Sequence, residues 1–159
     1  MPQQVIIDTA NDPKRHVIKM FNDLKRQFDR IDWKPFLRNQ IHKLEFDHRK
    51  YFEKAMGPDK QKWKKLDPST VRKKGSDRIL IDRKRLMRSL SRTTGDSVRE
   101  IIGNSLLFGT KVPYSSFLQK RQSRKKRATP ARRHVGIMDQ RANQIAEDAA
   151  DHVVAELMK

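Results

Sequence analysis

The chain has 159 residues, with 37 Lys or Arg against 19 Asp or Glu, for a formal net charge of +18. That length suits one ordinary domain, and a hydrophobic content of 35 % allows only a small core. With no cysteine, a disulfide scaffold, a Cys-ligated zinc site and a thiol nucleophile are excluded.

No stretch approaches the ~18 apolar residues of a membrane-spanning helix, so no membrane partner is expected. The first residues, MPQQVIIDTANDP, lack the basic stretch and long apolar run of a secretory leader. The chain is therefore expected to be soluble and intracellular at synthesis. The charge implies an anionic partner, and its distribution is uneven. Residues 101–134 hold nine Lys or Arg and no acid, whereas residues 135–159 hold five acids and two bases.

Asp12-Pro13 predicts a helix start, with a side-chain cap followed by proline at the first helical position. Val17, Phe21, Leu24, Phe28 and Ile31 then follow at spacings of 4, 3, 4 and 3, a single apolar stripe. Asp32 is expected to cap a second helix striped by Trp33, Leu37, Ile41, Leu44, His48, Tyr51 and Ala55 and ended by Gly57-Pro58. The two helices read as an antiparallel pair or as one long bent helix. Residues 58–78 read as a loop anchored by Trp63 and Leu66, with a short helical turn from Asp67 through Val71.

A short helix is expected over about 83–91, with Leu86, Met87 and Leu90 on one face. Thr94-Gly95-Asp96 and Asn104-Ser105 then read as turns of a two- or three-stranded β-meander carrying Val98, Ile101, Ile102 and Leu106–Phe108. Pro113 ends it, and Tyr114–Leu118 reads as a helical turn. After the basic run, His134–Ile137 is expected to return as a strand. Asp139 should cap a last helix striped by Ala142, Ile145, Ala149, Val153 and Leu157. The whole is α+β, with long N-terminal helices and a C-terminal helix packed on a small antiparallel sheet, plus an extended basic loop. Along the chain this gives a helical segment 1–57, an α+β core 58–138 with the basic loop 119–134, and a helix 139–159, in one domain.

The middle of the chain carries an ordered series of short motifs: Trp63-x-x-Leu66-x-Pro68-x-Thr70, Lys73, Ile79-Leu80, Arg85-Leu86-x-x-Ser89-Leu90, Val98-x-x-Ile101-x-Gly103, Pro113-Tyr114-Ser115 with Phe117, and Pro130-Ala131-Arg132 before Gly136-Ile137. Over about residues 52–140 this order resembles the phage virion morphogenesis family, the tail-completion and head–tail joining proteins of tailed bacteriophages. The family usually carries Gly where this chain has Lys84. It also usually has Tyr-Ala and then His-Gln-x-Gly where this chain reads Tyr114-Ser115-Ser116-Phe117-Leu118-Gln119-Lys120. The resemblance implies a non-enzymatic virion component that forms a homo-oligomeric ring around the DNA channel. Its expected partners are portal or head-connector proteins on one face, tail-terminator or tail-tube proteins on the other, and packaged double-stranded DNA. Its expected location is the virion's head–tail junction, after assembly in the host cytoplasm.

The candidate contact residues are the bases of the run KRQSRKKRATPARR: Lys120, Arg121, Arg124, Lys125, Lys126, Arg127, Arg132 and Arg133. Three readings of this run stay open. It is a solvated loop, a phosphate contact of the sequence-independent and salt-sensitive kind, or a partner for an acidic neighbour. Asp139, Glu147, Asp148, Asp151 and Glu156 of the last helix are candidates for that neighbour. Direct base reading is not expected, because no helix-turn-helix or zinc-finger spacing occurs and no aromatic residues interleave the run. Trp33, Trp63, Leu66, Tyr114 and Phe117 are the expected packing or interface anchors.

The five histidines show no metal-binding spacing and read as surface or half-buried structural residues. No phosphate-cradling glycine loop, nucleophile elbow or paired-carboxylate motif is present, so neither a catalytic site nor a cofactor is expected. The alternative function is a stand-alone basic protein that binds nucleic acid without sequence preference.

Overall fold

The computed structural model describes residues 13–120, 122–124 and 127–158. The fold is α+β, with helices packed on a small antiparallel sheet. The chain divides into two compact units, with boundaries after Asp32 and after Ala149.

In the smaller unit, α1 runs Pro13–Asp29 and opens on the proline that sequence placed there. The Asp12 cap lies outside the described residues. The helix closes with tightened turns, Arg30 N–H donating to the Gln27 carbonyl and Ile31 N–H to that of Phe28. Ile31 is buried, whereas Val17, Phe21, Leu24 and Phe28 are exposed. In the same unit His152 Nε2 lies 2.8 Å from the Asp32 carbonyl oxygen.

The larger unit begins with α2, Lys34–Lys54. Its N-cap is Trp33 and not Asp32, and no side chain caps it. Pro35 occupies the first turn, where a missing N–H costs nothing. Ala55 ends the helix in the left-handed region at φ 48°. Leu37, Gln40, Leu44, His48, Tyr51 and Phe52 are buried along its inner side.

The loop after α2 doubles back, with Trp63 N–H donating to the Ala55 carbonyl at 2.7 Å. The short α3, Pro68–Lys74, runs further than the expected turn. Asp67 caps it through Ser69 N–H at 2.9 Å, and Gly75 closes it at φ 68°. Next comes α4, Arg85–Ser91, entered through Lys84 at φ 59°.

The expected meander is a two-stranded hairpin, β1 Ser97–Ile102 with β2 Ser105–Thr110. Its turn sits on Gly103-Asn104, one residue earlier than expected, because Gly103 supplies the positive φ of 57° at the first turn position. Ser105 therefore belongs to the strand, opposite Ile102. Helices α2 and α4 lie on this sheet. The core gathers Phe52, Trp63, Ile79, Leu86, Leu90 and Val112, with Leu66, Phe108, Leu118 and Val135 packed against it.

Beyond it, α5 spans Ser115–Gln119. Residues 134–137 do not form the expected strand. The last helix, α6, runs Asp139–Leu157. Polar side chains join its first half to α2: Arg141 Nε donates to Asp47 Oδ2 at 2.6 Å, and Lys43 and Gln40 both donate to Asp148.

Candidate interface around the basic hairpin

The basic run contains two short strands that its composition did not announce: β3 Gln122–Arg124 and β4 Arg127–Thr129. They pair antiparallel as a sheet of their own, apart from β1–β2. Gln122 faces Thr129, Ser123 faces Ala128, and Arg124 faces Arg127. Arg121, Lys125 and Lys126 lie outside the described residues.

The base of the hairpin is fastened on both sides. Arg132 N–H donates to the Leu118 carbonyl at 2.8 Å, which closes the excursion where it leaves the core. The Gln119 side chain spans the same gap, accepting from His134 N–H at 2.8 Å and donating to the Val135 carbonyl at 3.0 Å. Trp63 Nε1 donates to the Arg133 carbonyl at 2.8 Å, and its ring meets Phe52 edge to face at 5.5 Å. Two glycines permit the close approach of the segment after α2. A Cβ on Gly57 would stand 2.9 Å from the Arg133 carbonyl oxygen, and one on Gly136, at φ 156°, would stand 2.7 Å from Pro58 Cγ.

His134 is fully buried at this base, not surface or half-buried as expected. Its Nδ1 is 2.8 Å from the Arg132 carbonyl oxygen, which can only accept, so Nδ1 holds the proton. Its Nε2 then accepts from the Ser115 hydroxyl at 2.8 Å. Burial holds this imidazole below its ordinary range, partly offset by the bond to Arg132. The ring is a neutral strut. Nothing in its sequence surroundings marked it, since its partners lie at positions 115, 119 and 132 and meet it only in the fold.

The candidate residues separate into two groups. Lys120 and Arg133 are exposed beside the base, and Arg124 and Arg127 sit in the strands. Arg132 departs from its assigned role as a contact. It is buried, its Nη2 donates to the Lys64 carbonyl at 3.1 Å, and burial lowers its pKa. It fastens the hairpin and is not displayed by it.

The anchors divide similarly. Trp63 is buried and Leu66 half-buried in the core. Trp33 is half-buried against the edge of Phe36 at 5.8 Å. Tyr114 and Phe117 are exposed. Among the acids of α6, Asp148 is held by Lys43 and Gln40 of its own chain, and those bonds, led by Lys43, depress its pKa.

No family model, curated protein or solved structure matches the chain.

Proposed function

We propose that the chain is a structural protein of the phage head–tail junction, a building block that rings the DNA channel and joins capsid connector to tail. One observation carries the reading: a separate cationic hairpin, with Arg124 set opposite Arg127, fastened to a buried base by Gln119, Arg132 and His134. A run with six Lys or Arg and no acid over residues 120–127 attracts an anionic neighbour. A firm base gives it a fixed position from which copies around an axis can present it together. The resemblance over residues 52–140 supplies the assembly. Lys84 adds support, because it adopts φ 59° where the family usually carries Gly, the residue that region of backbone favours.

In this role the contacts need no sequence preference. Lysines and arginines neutralise phosphate, or an acidic ring beside them, while the DNA passes. Around the channel, closure of the ring limits the number of protomers.

The test is charge reversal of Arg124, Lys125, Lys126 and Arg127 to Glu. The variant is expected to keep the wild-type unfolding midpoint and to lower the yield of infectious tailed particles at least tenfold. If particle yield is unchanged while tight, salt-sensitive binding of duplex DNA by the isolated protein is lost, the stand-alone nucleic-acid-binding reading replaces this one.

A further inference from the structure

One face of α1 is unaccounted for by any contact described so far. Val17, Ile18, Met20, Phe21, Leu24 and Phe28 are each between 42 % and 63 % exposed. Single exposed apolar residues are ordinary, but six large ones within twelve residues of one helix are not.

Their order identifies the occupant. The spacings 17, 21, 24, 28 alternate between four and three residues, which is the 3.5-residue repeat of a helix–helix seam. With Phe21 and Phe28 at the a positions and Val17 and Leu24 at d, Ile18 falls at e and Met20 and Gln27 at g. The flanks of the seam are thus apolar or neutral except for Lys25 at e. Lys19, Asp23, Arg26 and Asp29 fall at b, c and f, away from the seam. Over Val17–Phe28 the charges other than Lys25 keep clear of the seam, and such a face matches a copy of itself, because two of them meet without opposing like charges.

Area agrees. Six such side chains, about half exposed, present roughly 600 Å² per copy, so a pairing removes on the order of 1,200 Å² from water, the lower bound for stable interfaces.

We propose that α1 is a self-association helix, seating its Val17–Phe28 face on the α1 face of a second copy of this chain. The inference does not rest on the head–tail reading, since a stand-alone nucleic-acid-binding protein with this helix would pair in the same way. Net charge gives it a distinct signature. The chains carry +18 each, so screening should strengthen their association, the opposite of what salt does to phosphate binding.

The native chain has no cysteine, so single-cysteine variants report without background. Phe21→Cys and Leu24→Cys are oxidised separately and mixed, with Arg26→Cys as the control on the opposite face. Disulfide-linked dimers should form at least tenfold faster through positions 21 and 24 than through 26, and faster in 0.5 M than in 0.05 M salt. Linkage of like positions indicates parallel helices, and linkage of 21 to 24 antiparallel ones. Sedimentation of the cysteine-free protein should show self-association that Phe21→Glu with Leu24→Glu abolishes, while the near-ultraviolet signal of the buried Trp63 is retained. Equal rates at all three positions, or a wild-type monomer at 100 µM in both salts, would overturn the proposal. So would α1-dependent retention on phosphatidylserine vesicles by a protein that stays monomeric.

Discussion

Arg99 joins three elements of the larger unit through one guanidinium. Its side chain is 7 % exposed. Nε donates to Glu45 of α2 at 3.1 Å, Nη1 to the carbonyls of Val98 and Gly109 in the sheet, and Nη2 to the last carbonyls of α4 at Ser89 and Leu90. Its Cζ lies over the Phe108 ring, 3.7 Å from the centroid. A cation at a helix C-terminus is also stabilised by the partial negative charge there. Removing it leaves the half-buried Glu45 carboxylate without this partner and takes one donor from each of four carbonyls. Arg99→Ala is therefore expected to cost about 3–5 kcal/mol in urea unfolding. A loss below ~1 kcal/mol would show that Arg99 is a surface charge in effect.

His48 sets a pH limit in the same core. Burial pushes its pKa down from 6.5 to about 4, against a smaller upward pull from the bond its Nδ1 makes to the Leu44 carbonyl at 2.7 Å. The unfolded ring protonates near 6.5 and the folded ring only near 4. Between those values the unfolded chain binds the extra proton, so stability falls as pH falls through that window and is fully present above it. His134, also lowered by burial, acts with the same sign. The shift at His48 corresponds to about 3 kcal/mol across the whole window. Urea midpoints at pH 7.5 and pH 4.5 check this: the wild type should lose stability on acidification, and His48→Phe should lose less. Equal losses would contradict it.

At the scale of elements, legibility followed the size of the local signal. Helices α1, α2 and α6 were readable because a stripe repeated over four or more turns leaves no competing period. The β1–β2 hairpin was readable from its β-branched run, but not the position of its turn, because Gly103, Asn104 and Ser105 all carry turn chemistry. Hairpin β3–β4 was not readable. Gln-Ser-Arg and Arg-Ala-Thr have little β preference, and the pairing is held by closure at Leu118 and Arg132, a feature of the fold and not of the segment. The 134–137 segment failed in the other direction. Its Val and Ile suggested a strand, but His134 spends its backbone N–H on the Gln119 side chain and not on a neighbouring strand. Arg99 and Arg132 were hidden for a related reason. A buried, hydrogen-bonded arginine and a solvated one look identical in sequence, so the bases of this chain read as one class although two of them are structural.

For the whole molecule, a large positive charge is combined with a small core. Its basic run attracts anions, and its first helix leaves an apolar face in water. In the proposed assembly both features find a place, since burial removes the apolar face and an anionic surface meets the basic run. The proposed head–tail junction would join those conditions, with many copies around a polyanion. Electron microscopy of tailed particles containing this chain, labelled at its C-terminus, tests that reading most directly. A ring of labelled density between portal and tail is the expected result. Purified particles that lack the chain at the neck, alongside an isolated protein that stays monomeric and coats duplex DNA, would contradict it.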